Sequence, residues 1–205
     1  MARRSPTSIL DATLALIAKG GIDSVRYRDI ARESGVPLGT ISYQYPSREE
    51  LIRSAFKHYL EGNEVLLCRF AEGARVREPR DVAKLIVDVL QAGFPAPERA
   101  HMAEFELLVY AGRDPQMADM LHAWYRQLAT ELGYILEGVR VPSPLGTAET
   151  LLDLAWGFQL VRLGRAEPDF DELRLRIERV LDGFSANTAT SLPTPSTNRR
   201  SKSRK

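Results

Sequence analysis

A single cysteine, Cys68, leaves this chain no partner for an internal disulfide and excludes a cysteine metal cluster. The thiol is expected to be structural. Histidine is scarce as well: His58, His101 and His122 show no metal-ligand spacing and form no nucleophile motif with Cys68. There is no glycine-rich phosphate loop. A helical enzyme therefore survives only as an alternative without a motif, and neither cofactor nor metal is expected. No apolar run reaches the roughly 18 residues that a membrane span needs, and no charged-then-apolar leader ends in a small-residue cleavage site. A cytoplasmic setting without a membrane partner is the expectation. Strand-length alternation with hairpin turns is missing throughout.

What is present is helical periodicity. With 44% hydrophobic and 27% charged residues, the 205-residue chain can bury a real core. The spacing predicts an all-α protein of about nine helices. The first starts after Thr7 or Ser8 and stops at Gly20 and Gly21, and a short second one ends at Gly35. Ser47 and Glu50 form a Ser-x-x-Glu capping box, opening a long helix with Ile52, Phe56, Tyr59, Leu66 and Phe70 on one stripe. Five further helices follow from about residue 78. One of them carries Phe105, Leu108 and Val109, and another is capped by Asp114 and Pro115.

Charge is unevenly distributed. Residues 1–60 hold nine Lys/Arg against six Asp/Glu (+3), residues 187–205 hold five against none (+5), and the stretch between carries −7. A mildly basic head suits an anionic partner, whereas so acidic a body argues against a non-specific DNA-coating protein. The end, rich in Ser, Thr and Pro and then basic, is expected to be a disordered tail.

The segment GVPLGTISYQYPSREEL, residues 35–51, indicates what the head does. At 100° per residue, Leu38, Ile41 and Tyr45 share one side of a short helix, and Thr40, Tyr43 and Gln44 project from the other. So short a helix needs neighbours to hold it. RYRDIARESG followed by VPLGTISYQY reads as a helix-turn-helix, with Gly35 in the turn, Val36 as a plug and Pro37 at the helix start. Gln44 suits a bidentate pair with adenine, Thr40 a base edge or a thymine methyl, and Tyr43 a phosphate or base edge, with Ser42 on the flank. Arg48 at the next helix start, Arg26, Tyr27 and Arg28 across the groove, and an arm of Arg3 and Arg4 are expected on the DNA backbone or in the minor groove. Tyr45 completes the set of candidate DNA contacts.

From Ile9 to Leu51 the chain resembles the DNA-binding domain of the TetR (tetracycline repressor) family of bacterial regulators. The resemblance rests on Arg28-Asp29-Ile30-Ala31, Gly35-Val36, Gly39-Thr40, Tyr45 and Ser47-Arg48-Glu49-Glu50-Leu51. Ser42 and Gln44 stand where tyrosines are frequent in the family, Tyr45 replaces a usual phenylalanine and Arg48 a usual lysine. Val25 and Arg26 replace the usual Ser/Thr cap of the second helix, so Asp23 or Ser24 is expected to cap it. The operator sequence is therefore not transferable.

The resemblance implies a head (1–48), a ligand-binding and dimerisation body (49–186) and the basic tail (187–205). It also implies that a small-molecule effector moves the long linking helix and pulls the two heads out of register. Candidate pocket residues are Phe105, Leu108, Trp124, Leu128 and Trp156, with His101, Tyr110 and Gln159 nearby to orient a ligand. An interior glycine, Gly157, suggests close helix approach; with Leu154, Phe158, Val161, Ile177, Val180 and Leu181 it forms the candidate homodimer face. Two heads on a twofold axis call for a palindromic double-stranded operator. Repressor or activator, ligand-released or ligand-independent, stay open at this point.

Overall fold

The computed structural model describes residues 8–73, 75–92, 100–161 and 169–190. Arg3, Arg4 and the tail from residue 191 lie outside the described residues, as do the side chains of Leu66, Cys68, Phe70 and His101. Nine α-helices and no strand occur among the described residues.

Local chemistry sets the helix ends in the head. Ser8 caps α1 (Ile9–Gly20) by accepting the Asp11 N–H, and Gly21, at φ +74°, closes it through its own N–H to the Ile17 carbonyl. A 3₁₀ turn, Ile22–Ser24, leads into α2 (Tyr27–Ser34). Neither Asp23 nor Ser24 caps that helix. Both belong to the turn, where the Ser24 hydroxyl donates to the Gly21 and Leu16 carbonyls, and Arg26 takes the cap position without a side-chain capping bond. Gly35 sits at φ +75°, where a Cβ would be strained, and its N–H closes α2 onto the Ala31 carbonyl. Pro37 precedes α3 (Leu38–Gln44). Ser47 then accepts the Glu50 N–H and opens α4 (Arg48–Gly73).

Five helices make up the remainder: α5 (Pro79–Ala92), α6 (Ala100–Ala111), α7 (Pro115–Gly138), α8 (Pro144–Val161) and α9 (Phe170–Thr190). Asp114 caps α7 by accepting the Gln116 and Met117 N–H groups. Because α9 runs through Thr190, residues 187–190, expected in the disordered tail, are helical. Propagation from an anchored helix costs far less than nucleation, so a packed start carries polar residues along.

Two apolar cores result. The first joins α1, α2, α3 and the start of α4 to Ala103, Leu107 and Ala111 of α6 and Met117 of α7. The second is built from α5, the end of α7, α8 and α9. Thus α6, remote in sequence from the head, is part of the head's core. Polar ties follow the same route: Arg53 Nε of α4 donates to Asp114 Oδ2 at 2.8 Å, His58 Nε2 lies 2.8 Å from Asp11 Oδ1, and the Ile22 N–H faces a Glu106 carboxylate oxygen at 3.5 Å.

Burial corrects two expectations of helix phase. In α6 the buried positions are Ala103, Glu104, Leu107 and Ala111, whereas Val109 is 65% exposed and Phe105 only half-buried. On α8 and α9, three expected dimer residues, Phe158, Ile177 and Leu181, lie inside the second core. These helices have apolar residues on more than one side, and the packing of α9 against α5 and α8 took the better-matched one. Leu154 and Val180 are half-buried, and Gly157 and Val161 are exposed. A Cβ built on Gly157 would meet nothing within 4 Å, so no close helix approach inside the chain explains this glycine.

Candidate DNA-reading head and ligand cavity

The two sides of α3 differ as its periodicity requires. Ile41 is fully buried and Tyr45 is 9% exposed, whereas Tyr43 is 90% exposed and Thr40, Ser42 and Gln44 are exposed with it. Leu38, expected on the packed side, is 41% exposed at the helix's first turn. The Tyr27 hydroxyl donates to the Tyr45 carbonyl at 2.7 Å, pinning the end of α3 to the start of α2. Burial raises the pKa of both tyrosines, so their hydroxyls stay protonated as donors. The Ser42 hydroxyl donates to the Leu38 carbonyl at 3.0 Å, and Gln44 Nε2 reaches only the Tyr45 hydroxyl, at 3.5 Å.

Several expected DNA contacts are engaged within the head. Tyr45 is a wall between α3 and the core, and Tyr27 is a half-buried strut. Arg26 turns an Nη1 hydrogen onto the Asp23 and Val25 carbonyls. Arg48 Nη2 donates to the Ile22 carbonyl at 2.5 Å and lies 3.4 Å from Asp23 Oδ1, with its Nε buried and unpartnered. The Ile22 carbonyl already accepts the Val25 N–H, and its second lone pair draws inward a guanidinium that a free helix start would have aimed at a phosphate. Arg28 is exposed. Arg48→Ala is accordingly expected to lower head stability by about 1–2 kcal/mol, as loss of a charge-assisted hydrogen bond does. Gln44→Ala should leave the thermal melt within about 0.5 kcal/mol of the parent, as for ordinary surface changes. Equal melting temperatures for the two variants would refute this division of roles.

The body holds a cavity of about 100 Å³ between α4, α5, α6, α7 and α8. That is small beside the roughly 300–1,000 Å³ of a drug-sized site. Trp124, Leu128 and Trp156 line it as expected, together with Tyr59, Asn63, Leu85, Leu132 and Glu104. Phe105, Leu108 and Gln159 do not line it. Phase is again the reason: Leu108 and Tyr110 pack on the first core, and Gln159 is buried one turn beyond Ala155, to whose carbonyl it donates. Trp124 and Trp156 stack at 5.7 Å, and Tyr125 tilts against Trp156 at 5.5 Å while its hydroxyl donates to Asp153.

Of the described lining residues outside the sequence-based candidate set, Glu104 is the one that carries a titratable carboxyl. It is 4% exposed, and burial pushes its carboxyl from 4.5 up to about 7, although donors on Tyr59 and Trp156 oppose the rise. Its Oε2 has no hydrogen-bond partner. Burial, followed by the charge on Glu104, raises the Tyr59 hydroxyl well above its usual range. The available signal was an acid, one of two with Glu106, inside the apolar run HMAEFELLVY. Among the described residues, no group of His, Cys, Asp and Glu could hold a metal ion, and no helix is long and apolar enough to cross a membrane.

Residues 9–55 match the sequence profile of the bacterial regulatory proteins of the tetR family, and residues 77–183 match that of the tetracyclin repressor-like C-terminal domain. The chain belongs to the TetR family. Among TetR-family relatives it is similar to a nicotine-responsive transcriptional repressor of Paenarthrobacter nicotinovorans, 24% identical over 62% of this chain. The match spans 65% of that repressor, under two thirds of its length. A solved transcriptional regulator of Streptomyces coelicolor A3(2) superposes with a TM-score of 0.65 at 28% identity, covering 84% of this chain and 95% of the other. A Saccharomonospora viridis regulator, solved in complex with choline, shares the fold with a TM-score of 0.69 at 21% identity, over 85% of this chain and 93% of its own.

Proposed function

We propose that this TetR-family regulator is a homodimeric repressor that binds a palindromic operator and is released by a small molecule. The observation that carries the reading is α3, whose Thr40, Tyr43 and Gln44 face solvent while Ile41 and Tyr45 anchor it. Such a helix fits a major groove with its polar side outward. Arg28 and Ser42 flank the base-reading trio; Arg26, Tyr27, Tyr45 and Arg48 position it. The units of the proposal are a head of residues 1–48 and a body of 49–186, with α6 as their shared floor.

The effector reading is supported by the largely apolar cavity at Trp124 and Trp156, and by the relative that is nicotine-responsive and the neighbour that holds choline. For the dimer, the candidate face shifts from the buried set to the apolar positions that α8 and α9 leave outside. Leu160 is 51%, Val161 74% and Leu175 44% exposed, beside the exposed Gly157 and the half-buried Leu154 and Val180. A twofold pairing of these helices would cover them.

Selection of bound fragments from random DNA tests the reading. It should return one short inverted repeat, bound by a dimer and bound far more weakly as an isolated half-site. Gln44→Ala should then cost about 1–3 kcal/mol on that site and relax preference at one position in each half. Selected fragments without an inverted repeat, or a chain that sediments as a monomer at micromolar concentration, would sink the proposal.

A further inference from the structure

The cavity's chemistry is more specific than its size. Its wall is almost wholly apolar, with Leu85, Leu128 and Leu132 against the stacked rings of Trp124 and Trp156. Among the described residues the one ionisable carboxyl on that wall is Glu104, buried and with Oε2 unpartnered. Among the described residues no cationic side chain pairs with it and no charged neighbour contributes to its pKa. A buried acid held this way is costly unless something supplies the missing charge or donor.

Three classes of occupant can be compared. An anionic molecule would place like charge against Glu104 with no arginine or lysine among the described residues of the wall to offset it. A neutral apolar molecule would fill the space and leave Oε2 as orphaned as before. A small organic cation satisfies both halves of the site, because the carboxylate is its counterion and the faces of Trp124, Trp156 and Tyr59 attract positive charge through their ring quadrupoles. Asn63 is the remaining polar group on the wall and can accept from an ammonium N–H.

The geometry points to an organic ammonium ion, held by Glu104 and the Trp124–Trp156 pair, as the effector of this protein. The assignment rests on reading the cavity as the effector site. It makes Glu104 the specificity-determining residue.

The test uses the full-length protein and two probe pairs of matched shape: choline against 3,3-dimethylbutan-1-ol, and benzyltrimethylammonium against neopentylbenzene. Calorimetry together with tryptophan fluorescence should show each cation binding at least about tenfold more tightly than its neutral partner, the scale of a desolvated cation–π contact. Glu104→Gln, which leaves the aromatic rings in place, should reduce the preference severalfold. Trp124→Leu, which leaves the carboxylate in place, should reduce it about tenfold and serves as the second variant. No cation binding, a neutral probe that binds as well as its cation, or an unchanged preference in Glu104→Gln would each overturn the assignment. Operator affinity is measured separately on the unliganded protein. A cation that binds through Glu104 yet leaves operator affinity unchanged upholds the site's selectivity and overturns its role as effector, whereas failure to bind any operator overturns the regulatory reading alone.

Discussion

Glu104→Gln is expected to raise the melting temperature at pH 8 and to leave it unchanged near pH 4. In the folded protein burial lifts the Glu104 carboxyl from 4.5 to about 7. The folded state therefore holds its proton at pH values where the unfolded chain has released it, so wild-type stability falls as pH rises from about 4.5 and the loss is complete above about 7. A displacement of that size corresponds to about 3 kcal/mol, or roughly 6–12 °C for a chain of this length. Glutamine keeps the shape and an oxygen for the Tyr59 and Trp156 donors but carries no charge to desolvate. Melts of both proteins across pH 4 to 8.5 should therefore coincide at the acid end and diverge towards the alkaline end. Curves that run parallel throughout would show that the carboxyl is solvated, and the charge-starved cavity would be lost with it.

Leu107→Ala should be the more damaging change, although Leu107 neither lines the cavity nor lies on α3. Leu107 is fully buried in the first core, among residues of α1, α2 and α4. Truncation there removes transfer energy and leaves a void, together costing about 2–5 kcal/mol. The head should loosen with it, weakening operator binding on every sequence rather than relaxing preference at one base. Val109→Ala, two residues along and 65% exposed in the parent, should change stability by no more than about 0.5 kcal/mol. Denaturation of the two variants decides the phase of α6. A larger loss in Val109→Ala would mean that the helix is rotated from its assigned position.

The contrast between those residues shows where sequence is informative. Ser8, Gly35, Ser47 and Asp114 are legible because each acts on backbone groups a few residues away, and no distant partner is needed to predict the outcome. The split of α3 into Ile41 and Tyr45 against Thr40, Tyr43 and Gln44 is legible for a similar reason, since the helix is polar on one side only. Helix α6 is apolar nearly all round, so its periodicity could not say which residues meet the head and which meet the cavity. The same ambiguity sent Phe158, Ile177 and Leu181 inward. Arg48 illustrates another blind spot: its partner, the Ile22 carbonyl, lies 26 residues earlier and exists only once the 3₁₀ turn has formed. Trp124, Leu128 and Trp156, large and apolar, share one cavity wall, yet the acid that gives the cavity its character lies beside Phe105 in the chain and carries no periodic signal of its own.

The bond from the Tyr27 hydroxyl to the Tyr45 carbonyl bears on how such a regulator can diversify. It secures α3 through a residue of α2 and a main-chain oxygen, leaving the fold no claim on Thr40 or Tyr43 and almost none on Gln44. Mutations at those three positions can wander without unfolding the head, so under the proposed function a duplicated copy can acquire a new target promoter while the cavity stays as inherited. The converse does not hold. Any change that reshapes the cavity by moving α6 is felt by Leu107 and the head's core, so on the same proposal a new effector is the slower of the two to arise.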